Sequence, residues 1–307
     1  RIMHSRAFRR LKGKTQVFVA SYGDHYRNRL THSIEVAQVS RGLARSMGLN
    51  EDLAETVALA HDLGHTPFGH AGEQALHECL NAHGLSFEHN EQSRRIVEEI
   101  EEVYPHFRGL NLSVEVLEGL MKHHTSWDHP KGNGTVRPSL EAQIVNLGDE
   151  IAYQNHDVDD GLRSGLFTEE DMMDLALWRR ASEAVEAHYG EIKDEKVRRA
   201  RRVSQMIHLM MQDVCEESAR RLDAAEIQGL EDVYACTHSL IGFSDRMLEQ
   251  NKALKDFLLT RFYLHPEVMH YTKAGQSIIR FLFEQEIQRH SPEETRDRIA
   301  GMTDAYA

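Results

Sequence analysis

The sequence predicts an all-α protein, and three observations support that prediction. Apolar residues recur at helical spacing along most of the 307 residues, whereas no alternating apolar and polar run persists for more than a few residues. Glycine and proline together account for only 26 residues, which favours long helices over loop-rich architectures. A hydrophobic content of 40% supplies enough apolar material for a core.

The first helices can be followed in chain order. One apolar face repeats at helical spacing through His32, Val36, Val39 and Leu43 and predicts a helix that stops at Gly48. The next helix begins after residue 50, where two carboxylates in the first turn complement the helix dipole, and is expected to end near residue 64. A Thr-Pro break at 66–67 separates it from the helices that follow.

The same patterns predict the rest of the chain. Further helices are expected at 69–82, 89–102, 113–124, and from a Ser139 cap through 149 towards 161. The stretch 125–138 is predicted to be a loop, an insertion within the motif-bearing region. Thr168 with Asp171 resembles a capping box for another helix, and four or five more amphipathic helices continue to residue 288. We therefore divide the sequence into a motif-bearing core at 1–165 and a helical region at 166–307.

The composition predicts a soluble, cytoplasmic protein. Acidic residues outnumber basic ones by 49 to 36, giving a formal charge of −13, whereas binders of duplex DNA or anionic membranes need surplus lysine and arginine. The three cysteines are far apart and form no CxxC pair, which fits a reducing compartment. No apolar run approaches the roughly 20 residues of a membrane span, and no signal peptide is visible.

Histidine is abundant and unevenly distributed. Fourteen of the 20 histidines fall within the first 157 residues. The segment HDLGHTPFGHAGE and its flanking helices contain the main candidates for chemistry: His32, His61, Asp62, His65, His70, Glu73 and Asp149. A single histidine on a helix is usually structural, but imidazoles and carboxylates in this joint arrangement predict a site for a divalent ion.

The spacing His61-Asp62-x-x-His65 also matches the zinc-metalloprotease helix, an alternative that we reject. That motif needs both histidines on one continuous helix and a glutamate as general base. Here Gly64 directly precedes His65 and a Thr-Pro break follows, so the helix is predicted to end between the two histidines. The aspartate is also one methylene shorter than the base that the protease requires.

Longer strings in the sequence resemble a known family. FRRLKGKTQVF, RNRLTHSIEV, HDLGHTPFGHAGE, FEHNEQS and GDEIAYQNHDVDD are similar to the HD-domain metal-dependent phosphohydrolases, in particular the bacterial dGTPase-like deoxynucleoside-triphosphate triphosphohydrolases. The resemblance runs in order from residue 1 to about 160 and less distinctly to about 290. It implies an HD fold with additional C-terminal helices, an even-numbered homo-oligomer, and hydrolysis of dGTP or several dNTPs to deoxynucleoside and triphosphate.

The resemblance also implies a metal site and a catalytic pair. The metal ligands would be His32, His61, Asp62 and Asp149. Mn²⁺ or Mg²⁺ is the expected ion, with Fe²⁺, Co²⁺ and Zn²⁺ as alternatives. His70 and Glu73 are spaced three residues apart on one predicted helix, so their side chains can meet. We expect His70 to protonate the departing 5′ oxygen.

Six further residues are expected to contact the substrate. By resemblance, Arg29, His65 and His89 face the phosphates, whereas Gln16, Tyr153 and Asp157 face the deoxyribose. The helical spacing of residues 149, 153 and 157 places two acids and a phenol on one stripe, which indicates a polar cavity. Arginine at position 29 offers a planar fork suited to a phosphate.

One position departs from some relatives. Glu150 follows the last predicted ligand, where vertebrate relatives place a phosphate-contacting lysine. An acid there would repel a triphosphate, so charge compensation is expected from the 261–273 region, with Arg261 and Lys273.

Two other functions stay open at this point. The same metal site could serve a nucleoside monophosphate or another phosphoester, and a nucleotide-sensing or nucleic-acid-binding module would not be an enzyme at all. Residues 1–31 carry a net charge of +7, and the remaining residues −20. The basic segment therefore serves the active site, an allosteric dNTP or single-stranded nucleic acid, and the sequence does not choose among them.

Overall fold

The computed structural model describes residues 1–17, 26–121 and 138–307, and it confirms the all-α prediction. The α-helices are α1 (Arg6–Arg10), α2 (Arg29–Ser46), α3 (Glu51–Ala60), α4 (Gly69–Asn81), α5 (His89–Arg95), α6 (Val114–Met121), α7 (Leu140–Ser164), α8 (Ala176–Tyr189), α9 (Glu195–Ala224), α10 (Leu230–Ala235), α11 (Asp245–Leu258), α12 (Pro266–Glu286) and α13 (Pro292–Ala300). Short 3-10 helices lie at Ile2–His4 and Leu11–Gly13, and π-helical turns at Ile96–Ile100 and Leu259–Tyr263 extend α5 and α11. One isolated bridge between Thr15 and Asn28 is the only β pairing in the described ranges.

Side-chain caps explain where several helices begin. Ser139, Asp194 and Ser244 precede α7, α9 and α11, and each accepts a hydrogen bond from a backbone N–H three residues further on. Ser291 and Glu294 form a reciprocal capping box at the start of α13. The cap predicted at Ser139 is therefore confirmed.

The structure differs from two of the predicted boundaries. Helix α3 ends at Ala60 rather than near residue 64, because the His61 ring bonds to the Ala58 carbonyl and the chain turns there. Thr168 and Asp171 do exchange hydrogen bonds, but they close a turn and the next helix starts at Ala176. Except for Pro138, the predicted loop at 125–138 lies outside the described residues.

The chain packs as two compact units. The first comprises Arg1–Ala37, Glu55–His123 and Pro266–Ala307, and the second comprises Gln38–Ala54 and His124–His265. Both units are assembled from segments distant in sequence. The division of the sequence at residue 165 separates motif-rich from motif-poor stretches and stays a prediction.

The core of the first unit fixes α4, the helix that carries His70 and Glu73. Eight buried residues form one apolar cluster: Ala75, Leu76, Leu80, Phe87, Ile279, Phe283, Ile299 and Ala300. They come from α4, the stretch before α5, α12 and α13. Burial of a large aliphatic or aromatic side chain is worth about 1.5–3 kcal/mol, so this cluster holds α4 firmly against α12 and α13.

The second unit is organised around α7, which is buried along most of its length. Buried methionine and valine side chains of α9 contribute to its core, together with the fully buried Trp178 of α8. On α7, Asp159 accepts a hydrogen bond from Arg199 of α9 at 3.0 Å. Gln143 accepts hydrogen bonds from the backbone amides of Leu240 and Ile241.

Across the described ranges, every helix is either too short or too polar to cross a lipid bilayer.

Candidate active site

Two helices of the first unit deliver a compact polar group. Arg29 and His32 lie in the first turn of α2, and His61 and Asp62 lie in the turn that directly follows α3. All four side chains are buried, Arg29 with only 2% of its surface exposed. One oxygen of Asp62, Oδ2, accepts a hydrogen bond from Arg29 Nη1 at 2.9 Å and lies 3.8 Å from His32 Nε2. The other, Oδ1, lies 3.4 Å from His61 Nε2.

The protonation of His61 follows from its surroundings. Its Nδ1 lies 2.6 Å from the Ala58 carbonyl oxygen, and a carbonyl only accepts, so Nδ1 carries the proton. The lone pair of Nε2 therefore faces the side on which the Asp62 carboxylate lies. A metal-ligating histidine is usually oriented by a hydrogen bond that its other ring nitrogen donates, often to a backbone carbonyl.

These donors fit a divalent ion. Two ligands bound about 2.1 Å from one ion lie roughly 3–4 Å apart, which matches the 3.4 Å and 3.8 Å separations between Asp62 and the two histidines. The Nε2 lone pair of His61 and the Asp62 carboxylate both carry negative density and would repel each other. A cation between them would remove this repulsion. The imidazole and carboxylate donors present suit a divalent ion, and the assignment of His32, His61 and Asp62 as its ligands stays a prediction.

Charge keeps Asp62 ionised. Burial alone would raise the pKa of this carboxyl, but the guanidinium of Arg29 holds the pKa well below its usual value, and a hydrogen bond from His65 lowers it further. A carboxylate that stays ionised over a wide pH range remains able to bind a cation.

Arg29 has further hydrogen-bond donors besides the one that bonds Asp62. Its Nε and Nη2 are buried and find no hydrogen-bond partner within the described ranges. Buried guanidinium donors without acceptors are costly, and the planar fork suits a phosphate. Arg29 lies beside Asp62, and its contact with a phosphate stays a prediction.

The predicted catalytic pair, His70 and Glu73, lies next to His89. On α4, His70 Nδ1 lies 3.4 Å from Glu73 Oε2, so the two side chains do meet. Glu73 Oε1 makes shorter contacts to His89 at the start of α5, accepting from its backbone N–H at 2.8 Å and from Nδ1 at 3.0 Å. The nearby histidines hold the pKa of Glu73 well below its usual value, although burial would raise it.

His65 and His89 form a stacked pair. Their ring centroids lie 3.9 Å apart at an angle of 16°, and both residues are buried. His65 Nε2 lies 3.1 Å from Asp62 Oδ1 and His89 Nδ1 lies 3.0 Å from Glu73 Oε1, so the pair joins Asp62 to Glu73. Burial, with Arg29 and His89, lowers the pKa of His65 well below its usual value, so this ring is neutral at physiological pH.

The remaining predicted residues lie in two places. Gln16 follows the Thr15 bridge in the first unit, and its Oε1 is buried without a hydrogen-bond partner in the part of the chain that is described. Asp149, Tyr153 and Asp157 line one buried stripe of α7 in the second unit. The place of Asp149 as fourth ligand stays a prediction.

A close helix approach occurs beside Asp149. A Cβ on Gly148 would come within 2.3 Å of Ser40 Oγ and 3.4 Å of the Ser40 backbone nitrogen, so the glycine leaves room for this Ser40 rotamer where α7 packs on the second half of α2. Ser40 is two turns further along the helix that begins with Arg29 and His32. The packing of α7 against Ser40 therefore explains the glycine before Asp149.

Sequence reasoning missed three side chains near these residues. Tyr263 donates a hydrogen bond to Asp157 from a turn 106 residues away, and burial with Asp157 raises its pKa well above the usual value. Lys255 pairs with Glu150 at 2.8 Å, so the expected compensation for this acid comes from α11. Arg261, named for that role, instead lies 3.6 Å from Asp171. No local pattern could have revealed these long-range contacts.

The third is Lys14, which is fully buried in the first unit. Its ammonium donates to the backbone carbonyls of His65 and Ala300, the latter at 2.7 Å. Burial, with the positive charges of Arg10 and Arg29, lowers the pKa of Lys14 well below its usual value. It lay within the FRRLKGKTQVF string, but its spacing gave no sign of burial.

Comparison with known proteins identifies the family. Residues 29–154 match the HD domain model, and residues 241–298 match a phosphohydrolase-associated domain. A deoxyguanosinetriphosphate triphosphohydrolase-like protein from Geobacter sulfurreducens is 44% identical over 100% of this chain and 84% of its own length. The chain belongs to the deoxyguanosinetriphosphate triphosphohydrolase-like family.

Other members of this family show the same level of similarity. The like-named proteins of Brucella anthropi and Azoarcus sp. are 44% and 45% identical over the whole of this chain and cover 85% and 86% of their own lengths. A crystal structure of a hypothetical protein from Aquifex aeolicus aligns with 99% of this chain and 64% of its own, at 16% identity and a TM-score of 0.49. The HD match contains every predicted site residue except Gln16 and Asp157.

Proposed function

We propose that the protein is a divalent-metal-dependent hydrolase that cleaves a deoxynucleoside triphosphate into deoxynucleoside and intact triphosphate. The observation that carries the proposal is the buried group in which a phosphate-ready Arg29 and two imidazoles surround the Asp62 carboxylate. Membership of a dGTPase-like family supports a nucleotide substrate. The substrate is dGTP or several dNTPs.

The metal would be held by His32, His61, Asp62 and Asp149. Mn²⁺ or Mg²⁺ is the proposed ion, and Fe²⁺, Co²⁺ or Zn²⁺ also suits these donors. When bound, the ion supplies positive charge that polarises a phosphate oxygen and acidifies a water molecule. Among the protein's own groups, Arg29 would bind the adjacent phosphate through its unpartnered donors.

The reaction replaces one P–O bond by another. Water attacks the α-phosphorus, the bond from phosphorus to the 5′ oxygen breaks, and that oxygen needs a proton as it leaves. His70 supplies the proton, and Glu73 orients the ring and balances its charge. His65 and His89, which both contact Glu73, would face the phosphates.

The deoxyribose would be recognised by Gln16, Tyr153 and Asp157. The Tyr153 ring packs where a 2′-hydroxyl would otherwise lie, and Asp157 accepts from the 3′-hydroxyl. Tyr263 already donates to Asp157, so it fixes the carboxylate for that contact. This arrangement would favour dNTPs over NTPs.

A substrate panel tests the proposal. All four dNTPs and NTPs are incubated with Mn²⁺ or Mg²⁺, alone and with a second dNTP as activator, and products are separated by ion-exchange chromatography. We expect triphosphate and deoxynucleoside, no turnover after chelation, and little turnover of NTPs. The alternative, an HD phosphohydrolase of nucleoside monophosphates or other phosphoesters, predicts orthophosphate from dGMP and no dNTP turnover.

A further inference from the structure

The segment after α13 reaches back to the catalytic region through one carboxylate. Asp304 Oδ1 accepts a hydrogen bond from the backbone N–H of Phe68 at 2.9 Å, and Oδ2 accepts one from the Thr15 hydroxyl. The Asp304 backbone N–H donates to the Gly13 carbonyl at 2.9 Å. We call these three contacts the Asp304 clasp.

One arm of the clasp holds the start of α4. Phe68 is the N-cap residue of this helix and adopts a left-handed conformation, with φ 62° and ψ 24°. A non-glycine residue needs outside support to stay there. The Phe68 side chain makes no cap hydrogen bond, so Asp304 anchors a helix start that lies two residues before His70 and five before Glu73.

The other arm holds the segment that carries Gln16. Thr15 is buried and pairs with Asn28 in the isolated bridge. The adjacent Lys14 carbonyl accepts a hydrogen bond from the backbone N–H of Arg29 at 3.2 Å. A shift of Thr15 would therefore move Gln16 directly and the first turn of α2 through the bridge.

Lys14 reinforces the same junction from the opposite side. Its ammonium donates to the carbonyl of Ala300, the last residue of α13, and to the carbonyl of His65. Through Asp304 and through the Lys14 contact of Ala300, the segment 300–304 is connected to the start of α4, the segment before α2 and the turn of His65.

We propose that Asp304 is a positioning residue of the phosphohydrolase site. By bonding Phe68 and Thr15 with one carboxylate, it fixes the proposed acid His70 relative to Gln16 and to Arg29 in the first turn of α2. The expected effect of Asp304 on kcat rests on the function proposed above, whereas its expected effect on local structure does not.

The test compares Asp304→Ala with Asp304→Asn. Alanine removes both side-chain contacts, whereas asparagine can still accept from Phe68 and donate to the Thr15 oxygen. We expect Asp304→Ala to lower kcat for dGTP on the order of 10- to 100-fold, as misplacement of a catalytic group by about 1 Å does, with a smaller change in KM. Asp304→Asn should restore most of the loss. Tyr306→Ala, two residues away and 77% exposed, is the matched control and should resemble the wild type.

Amide hydrogen exchange gives a readout independent of activity. In Asp304→Ala, peptides covering 66–72 and 13–17 should exchange faster while the rest of the chain is unchanged. If Asp304→Ala unfolds globally, Thr15→Val, which removes only the Thr15 contact, is expected to speed exchange at 13–17. Unchanged exchange at 66–72 in Asp304→Ala overturns the proposal. So does an unchanged kcat of Asp304→Ala, provided that the wild type is active. A wild type that cleaves no dNTP while exchange changes locally contradicts the proposed function and leaves the clasp standing.

Discussion

Glu73 contacts the imidazoles of three histidines, and these rings differ in their exposure to solvent. His65 is buried and neutral because burial and Arg29 lower its pKa. His89 is buried and donates through Nδ1 to Glu73. His70 is 54% exposed and faces the second carboxylate oxygen, so it alone of the three can be recharged directly from solvent between turnovers.

His70→Ala should therefore abolish most of the dNTP turnover. A positioned general acid contributes typically 10²–10⁴-fold, and we expect a loss of kcat in that range. The proposed metal ligands do not include His70, so metal content measured by mass spectrometry should be unchanged. His208→Ala, at an exposed position of α9, is the control. If His70→Ala retains turnover within about threefold, the acid is another residue.

At the scale of elements, the turn at 61–64 is held against the start of α5. Ser93 Oγ donates to the His61 carbonyl at 2.7 Å and accepts from the Gly64 amide at 2.8 Å. A Cβ at Gly64 would lie 2.1 Å from the His89 carbonyl oxygen and 2.3 Å from the Ser93 nitrogen. The glycine thus lets the turn with His61 and Asp62 approach the helix that carries His89.

Gly64→Ala should destabilise the protein through this backbone clash. Overpacking of a tight site costs about 1–3 kcal/mol, and backbone atoms yield less than side chains, so we expect at least the upper part of that range. Gly229→Ala is the control, since nothing lies within 4 Å of its Cβ position, and should cost less than about 1 kcal/mol. Equal midpoints for both variants in urea unfolding would contradict the close approach.

The connection from α2 to α3 gives a pH-dependent contribution to stability. Hydrogen bonds from Arg45, with Arg41 adding to them, lower the pKa of Glu51 to about 2. A depressed carboxyl pKa stabilises the folded state above the unfolded pKa of about 4.3, and the contribution is lost as the pH falls towards 2.

We expect Glu51→Gln to be less stable than the wild type at pH 6 and to approach it as the pH falls below 4. The measurement is the difference in free energy of unfolding between the two proteins, followed by urea denaturation from pH 6 to pH 3. Salt should reduce the difference, because the pair is at the surface. A difference that stays constant over this range would show that the ion pair does not cause it.

Some elements could be predicted from sequence and others could not, for physical reasons. Helix α4 was predicted within one residue because a Pro break precedes it and its apolar face repeats regularly. The predicted end of α3 was wrong by about one turn. The hydrogen bond from the His61 side chain to the Ala58 carbonyl leaves no trace in the apolar periodicity of the sequence. The contacts of Tyr263, Lys14 and Lys255 join distant segments, and one sequence contains no signal for them.

At the scale of the whole molecule, the basic start of the chain is largely used within the fold. Arg1 donates to the carbonyls of Leu110 and Asn111. Lys14 and Arg29 are buried beside the site, and Arg29 pairs with Asp62. Part of the +7 charge of residues 1–31 is therefore engaged in contacts within the fold, although the formal charge of the chain is −13.

Hydrolysis of dGTP in H₂¹⁸O tests the central claim most directly. With Mn²⁺ present, products are separated and analysed by mass spectrometry for the position of the label. Attack of water at the α-phosphorus places one ¹⁸O in an intact triphosphate and none in the deoxyguanosine. Label in orthophosphate or pyrophosphate, or in the 5′-hydroxyl of the nucleoside, would contradict the account.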